Sequence, residues 1–260
     1  MERGVVPEAE RTGGAMIAQN GTLIWTGHGT VLMTSPAGTV VVVDPWLSDC
    51  PTTPEACRTI ERADVILVTH GHFDHITDVP ALAKQTGAQV VGNTEIVAYL
   101  ASMGVSNVVE MNKGGTVEFG DVSITMVGAD HSSGCADENR KPNFEGGSAV
   151  GFVVGGPEFR PVYVAGDTNV FGDMRIIADL YTPELVAIPI DGRFNMGPRE
   201  AALACNLLRP SRVLPYHWGT FPILTGTPDQ LVEELEARGA WSPEVLSVEP
   251  GDYVDLAPTV

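Results

Sequence analysis

Four side chains that commonly ligate metal ions fall within one run of six residues, His70-Gly71-His72-Phe73-Asp74-His75. The run joins two segments of different character. Residues 65–68, Val-Ile-Leu-Val, form an apolar β-branched stretch that predicts a buried strand, and residues 76–85 predict a helix. A strand-to-helix turn of this kind opens into the crevice at the carboxyl end of a sheet, where side chains can converge. Three imidazoles and a carboxylate have no ordinary packing use there, because polar groups withdrawn from water need partners. The turn must therefore lie at a strand end facing a cleft.

The rest of the chain alternates in the same way. Short apolar runs at residues 23–25, 31–33, 40–43, 90–91, 108–109, 123–127, 149–154, 162–165, 185–188 and 213–214 predict further strands. Helices are expected over residues 53–62, 94–103, 172–180, 198–208 and 228–238, several of them starting at Pro, Thr or Asp. Strands towards both ends with helices between fit an α/β fold of two sheets packed face to face with helices outside. The halves echo one another weakly: the valines of residues 40–43 deliver Asp44, and residues 162–166 deliver Asp167. Residues 132–147 lack periodicity and carry mixed charges, which predicts a long loop placed to cover a site.

Three further ligand types follow apolar strands: His131, Asp167 and His217. Neutral imidazoles and carboxylates suit divalent ions, zinc first and manganese second. His70, His72 and His131 form one expected ligand set, and Asp74, His75 and His217 a second. Asp167 is placed to bridge the two ions. Each ion keeps an open position, as catalytic sites do. Two such ions can share a water and lower its pKa towards neutrality, yielding a bridging hydroxide nucleophile. Asp74 is the expected catalytic residue, accepting the proton as the intermediate collapses. The chemistry is hydrolysis at an electrophilic carbonyl or phosphorus centre.

Composition limits the partners. The 260 residues are 43% hydrophobic and 18% charged, enough for a full core. The net charge of −18, with Lys84, Lys113 and Lys141 as the only lysines, argues against nucleic acid. No apolar stretch reaches the length of a membrane span. Residues 1–15 read as a flexible N-terminal extension without the apolar core of an export signal, and residues 16–260 as a single hydrolase domain. A cytoplasmic location is expected, with Cys50, Cys57, Cys135 and Cys205 reduced. Cys135 reads as a partly exposed loop thiol. A homo-oligomer is compatible with this composition.

The His-x-His-x-Asp-His run after a strand, with His131, Asp167 and His217 in order behind it, resembles the metallo-β-lactamase superfamily. The resemblance spans about residues 21–255. It implies an αββα sandwich of two mixed β-sheets with outer helices and a dinuclear site at one edge of the sheets. The segments Gly166-Asp167-Thr168, Phe171-Gly172-Asp173-Met174, residues 188–198 and Pro215-Tyr216-His217-Trp218 are similar to the L-ascorbate-6-phosphate lactonase-like group of metal-dependent hydrolases. Gly27-His28-Gly29 resembles a Gly-His turn near the start of those proteins. Arg193 and the 132–147 segment depart from that pattern, so the group's substrate is not carried over.

The resulting expectation is a hydrolase of a small-molecule lactone or other ester, with a phosphodiester or cyclic phosphate as the alternative. RNA processing, diiron redox chemistry, an exported β-lactamase and a non-catalytic scaffold all fit the sequence less well. His28, Arg193 and Asn195 are the candidate substrate contacts: His28 at the pocket mouth, and Arg193 as a bidentate anchor for an anionic group.

Overall fold

Residues 40–43 are four consecutive valines, and all four are buried. A strand can hide every side chain only if both faces of its sheet are covered. Val41 and Val43 point into a core shared with a second sheet, whereas Val40 and Val42 pack with helices on the other side. The same division runs through the whole molecule.

The computed structural model describes residues 19–136, 142–239 and 241–256. The first sheet contains β1 (Thr22–Gly27), β2 (Thr30–Thr34), β3 (Val40–Val43), β4 (Val65–Leu67), β5 (Gln89–Asn93) and β6 (Val108–Met111). The second contains β7 (Thr116–Phe119), β8 (Val122–Gly128), β11 (Val150–Gly156), β12 (Phe159–Val164), β13 (Leu185–Pro189), β14 (Arg212–Tyr216) and β15 (Glu244–Val245). Between β8 and β11 a separate antiparallel pair forms from β9 (Gly134–Ala136) and β10 (Pro142–Glu145). The last strand, β16 (Tyr253–Asp255), returns to the first sheet beside β1, giving the orders β16-β1-β2-β3-β4-β5-β6 and β15-β14-β13-β12-β11-β8-β7. Both sheets are mixed. Strands β3 to β6 run parallel, as do β12 to β15.

Helices α1 (Phe73–Ile76), α2 (Val79–Thr86) and α3 (Thr94–Ser102) follow first-sheet strands, and α2 and α3 help cover its outer face. Helices α4 (Met174–Tyr181), α5 (Pro198–Leu208) and α6 (Pro228–Arg238) cover the second. The result is the expected four-layer αββα sandwich. Local sequence signals set the helix ends. The Asn93 side chain accepts the Ile96 N–H at the start of α3, and Thr227 and Gln230 form a reciprocal capping box on α6.

Two expectations fail. Residues 53–62 form only a single 3-10 turn, Glu55–Cys57. Pro51 and Pro54 interrupt regular hydrogen bonding, and the Arg58 guanidinium instead donates to the carbonyls of Leu47, Ser48 and Cys50. The 132–147 segment is not loop throughout: residues 134–136 and 142–145 pair as β9 and β10. Ser133 Oγ donates to Gly146 O at 3.0 Å, and Asn93 Nδ2 donates to the carbonyls of Gly146 and Ser148 at 2.8 and 2.9 Å. Residues 137–141 of that segment, and the extension expected over residues 1–15, lie outside the described residues. No helix among the described residues is long and apolar enough to cross a membrane.

Candidate metal centre

Parallel strands deliver their carboxyl ends to one edge. In the second sheet Asp167, Asp191 and His217 follow β12, β13 and β14, three neighbouring strands. In the first sheet Asp44 follows β3, and the histidine run follows its neighbour β4. His131 arrives from the end of β8. The two edges face each other across the sandwich, and all seven ligand candidates meet there.

Three overlapping groups of donors result among the described residues. His70, His72, His131 and Asp167 can gather around one point, and Asp74, His75 and His217, with His28, around another; the third is Asp44, His70 and His75. In the first group His70 Nε2 lies 3.0 Å from His72 Nδ1, which lies 3.3 Å from His131 Nε2. Asp167 reaches the first two groups. Its Oδ1 is 3.3 Å from His75 Nε2, while its Oδ2 is 3.3 Å from His217 Nε2, 3.6 Å from His131 Nε2 and 3.9 Å from His70 Nε2. His217 Nε2 is also 3.9 Å from Asp74 Oδ2.

These residues fit divalent cations. His75 Nε2, Asp167 Oδ1 and His217 Nε2 are buried and have no hydrogen-bond partner, an arrangement that costs about 1–3 kcal/mol per group when left uncompensated. Nitrogen–nitrogen separations of 3.0 and 3.3 Å match the edge of a tetrahedral zinc site, about 3.3 Å for the usual zinc–nitrogen bond. The backbone is also forced here: His28, Asp44 and His217 take left-handed φ values of 48°, 49° and 64°. Such conformations cost about 1–3 kcal/mol each and persist where the surroundings over-determine them.

The electrostatics of the cluster are set by burial and by the charges its side chains place on one another. Burial and the neighbouring His75 hold His70 well below its ordinary pKa, and burial also lowers His72 and His131. Burial opposes charge on His217, but the Asp167 and Asp191 carboxylates together outweigh it and push the imidazole up to about 10. His75 is raised in the same way, by Asp167 and Asp44. Asp167 and Asp74 are held below the usual carboxylate range despite burial, Asp167 by His217 and His75 and Asp74 by the His28 hydrogen bond.

The sequence profile of the beta-lactamase superfamily domain matches residues 39–218, which carry every one of the seven donors. A UPF0173 metal-dependent hydrolase of Solibacter usitatus is 48% identical over 232 residues, covering 89% of this chain and 98% of the relative. The chain belongs to the metallo-β-lactamase superfamily. It is a metal-dependent hydrolase of that superfamily. A UPF0173 hydrolase of Methanopyrus kandleri is 42% identical over 230 residues, covering 88% of this chain and 97% of its own. Among solved structures, Igni18, a metallo hydrolase from Ignicoccus hospitalis, superposes with a TM-score of 0.77 at 29% identity, covering 90% of this chain and 97% of that one.

Within this superfamily fold, the residues outside the seven donors need revision. His28 is not at a pocket mouth: it is 1% exposed, and both ring nitrogens are engaged inside the protein. Nε2 meets Asp74 Oδ2 and Nδ1 meets Thr220 Oγ1, both at 2.9 Å. Burial and His217 lower its pKa to about 4, so the neutral ring donates to Asp74 and accepts from Thr220. Gly29 is required beside it, because a Cβ there would stand 2.5 Å from His75 Cε1. Asn195 gives its side-chain N–H to Asp191 Oδ2 at 2.8 Å, which makes it a support for that carboxylate. Arg193 is exposed on the same loop, with its backbone N–H on Asp191 Oδ1 at 2.7 Å. Cys135 is fully buried, not partly exposed, and lies behind the histidine turn with its thiol raised to about 11 by burial.

Two carboxylates were not read as site residues. Asp44 Oδ2 accepts from His75 Nδ1 at 2.8 Å, and Asp191 Oδ2 lies 3.1 Å from His217 Nδ1, off the axis of a hydrogen bond. For Asp44 a signal existed in the strand-end echo with Asp167. For Asp191 the strand-end position after residues 185–188 is the same signal, one strand further on.

Proposed function

We propose that this protein is a dinuclear metal-dependent hydrolase of a small-molecule lactone or other ester, of the L-ascorbate-6-phosphate lactonase-like kind. His70, His72 and His131 would hold one ion and Asp74, His75 and His217 the other, with Asp167 within reach of both. The observation that carries the reading is the placement of Asp167, whose oxygens stand 3.3 to 3.9 Å from imidazoles of both groups. Zinc suits this nitrogen-rich set first and manganese second. When bound, the pair of cations supplies a hydroxide nucleophile near neutral pH and polarises the oxygen of the bond under attack.

The chain's own residues do the rest. The hydrogen bond from His28 keeps Asp74 ionised and oriented, so it can accept a hydrogen bond from the nucleophile and relay its proton to the leaving oxygen as the intermediate collapses. Burial of His75 and His217 keeps bulk water from the inner side of the cleft. To Arg193, exposed in the loop beyond Asp191, we assign contact with an anionic substituent on the substrate.

Purified protein loaded with zinc or manganese, assayed against a lactone panel and bis-p-nitrophenyl phosphate, tests the substrate class. Lactone hydrolysis with little phosphodiesterase activity is expected. Turnover of the phosphodiester alone would replace the ester reading with the phosphodiester one, on the same residues.

A further inference from the structure

Each imidazole facing an ion has a second ring nitrogen, and that nitrogen's partner tunes how strongly the ring binds. A carboxylate on the distal N–H fixes the tautomer and raises the basicity of the metal-facing nitrogen, and its loss typically weakens metal binding about 10- to 100-fold. The partners are unevenly distributed in this chain. His75 Nδ1 donates to Asp44 at 2.8 Å, and His217 Nδ1 has the Asp191 carboxylate 3.1 Å away, as a charge contact off the hydrogen-bond axis. His70 Nδ1 instead faces the Thr69 hydroxyl at 3.0 Å, and His72 Nε2 the Ser132 hydroxyl at 3.2 Å.

Two other asymmetries point the same way. Asp74 adds an unshared carboxylate to the His75–His217 group, whereas the His70 group has only imidazoles besides the shared Asp167. The His75 and His217 side chains are 0% and 1% exposed, but that of His131 is 12% exposed and His72 is half-buried. The His75–His217 position thus carries one unshared carboxylate more, and His131 and His72 are more open to solvent than His75 and His217, although Asp74 is itself 15% exposed and His70 fully buried.

We infer that the two positions fill in order: the Asp74–His75–His217 position takes its ion first and holds it, and the His70–His72–His131 position takes a second ion more weakly and exchanges it. This deepens the dinuclear reading and rests on it. Asp44 and Asp191 are positioning residues that act through His75 and His217. Their own orientation is fixed. Asp44 accepts from the Thr69 backbone N–H at 2.8 Å and from the Thr69 hydroxyl, and Asp191 Oδ1 accepts from the backbone N–H groups of Arg193 and Phe194, both at 2.7 Å. Turnover at limiting metal then follows the second, weaker equivalent.

The test is a zinc titration of the chelator-stripped full chain in competition with a chromophoric chelator, for the natural sequence and for Asp44→Asn, Asp191→Asn and Ser132→Ala. Two unequal equivalents are expected. Asp44→Asn and Asp191→Asn should each weaken the tighter one about 10- to 100-fold; Asp191→Asn should leave the weaker unchanged, Asp44→Asn should disturb it to a smaller degree through Thr69 and His70, and Ser132→Ala should touch only the weaker. Asparagine tolerates the left-handed backbone at position 44. Asp191 comes from the other sheet, so the two variants do not share a folding risk; circular dichroism confirms the fold of each. Two equivalents whose tighter member ignores both Asn substitutions would overturn the order of filling and leave the dinuclear reading standing. A single equivalent in the natural sequence would remove both.

Discussion

Asp167 separates a bridging arrangement from two independent sites, because its oxygens stand against imidazoles of both groups. Asp167→Ala is expected to lose metal at both positions together with turnover. Asp74→Ala should retain the ion at the His70–His72–His131 position and lose about 10²- to 10⁴-fold in kcat, the usual weight of a positioned acid–base group. Metal content by plasma emission, measured beside steady-state rates, checks both; full retention of two ions by Asp167→Ala would contradict the shared carboxylate. Gly71 tests how firmly the histidine turn is held from behind. A Cβ at that position would stand 2.5 Å from Cys135 Sγ and 3.0 Å from Cys135 N, so Gly71→Ala should cost about 1–3 kcal/mol by overpacking, visible in thermal unfolding, and Gly71→Ala with Cys135→Ala should regain part of it. The seven donors were legible in the sequence because ligand types at strand ends have no competing use. Asp44 and Asp191 were harder to see, since a carboxylate that acts through an imidazole needs no particular spacing from it. His28 was misplaced for a related reason: its Gly-His-Gly turn shows that a histidine stands at a tight corner but not which side faces the protein.

Elements were legible where both period and punctuation agreed. Helix α6 has Thr227 and Gln230 at its start and buries Pro228, Leu231 and Leu235, and it spans the residues the pattern predicts. Residues 53–62 have helix-compatible composition but two prolines nearby and no continuous apolar stripe, and the chain there follows Arg58 instead. Edge strands such as β7 and β16 escaped because partly exposed strands of three or four residues have little apolar contrast. Helices cover the outer faces, but polar contacts between elements fasten the sandwich at the strand ends away from the metal centre. Arg212, at the start of β14, donates to both Glu184 oxygens at 2.9 and 2.8 Å and to Asp255 O of β16 at 2.8 Å, tying the second sheet to the first. Arg212 and Glu184 are only 12% and 10% exposed, so losing the Glu184 charge leaves the nearly buried guanidinium with neutral partners alone, Asp255 O among them. Glu184→Gln should cost about 3 kcal/mol, at the lower end for a broken buried pair because some solvent remains. Urea unfolding reads the change, and a double substitution of both residues to apolar side chains should cost less than either single one.

At the scale of the whole molecule, the two sheets are joined by polar clamps at one end and by the donor cluster at the other. The second clamp is Asp121 in the β7–β8 turn, whose Oδ1 accepts from Ser35 Oγ at 2.9 Å and Thr39 Oγ1 at 2.5 Å in the β2–β3 turn. Those hydrogen bonds hold Asp121 below its ordinary carboxylate range against the opposing effect of burial. A carboxylate with a depressed folded pKa stabilises above its unfolded value of 3.8, and that contribution is lost as pH falls through the folded value. Acid titration of the natural chain should therefore lose more stability below about pH 4 than Asp121→Asn does; parallel curves would show that the clamp carries no charge dependence. At the opposite end the links are backbone ones, from His217 N–H to His28 O and from Val150 N–H to Thr69 O, both 3.0 Å, with the donor cluster between them. There the buried His75 Nε2, His217 Nε2 and Asp167 Oδ1 lack hydrogen-bond partners, and the acidic chain, at −18, adds repulsion that favours expansion. Ions that bind the folded cluster and not the unfolded chain stabilise by mass action, about 2.7 kcal/mol when free metal is a hundredfold above Kd. For a chain of this length each kcal/mol moves Tm by about 2–4 °C. Chelation should therefore lower Tm by about 5–10 °C on those two scales, and zinc should restore it. Asp167→Ala should start near the chelated value and show no further loss on adding chelator. If chelator abolishes turnover of the natural chain but leaves its Tm unchanged, the ions serve the chemistry alone, and the metal-end closure of the sandwich must come from the protein's own packing.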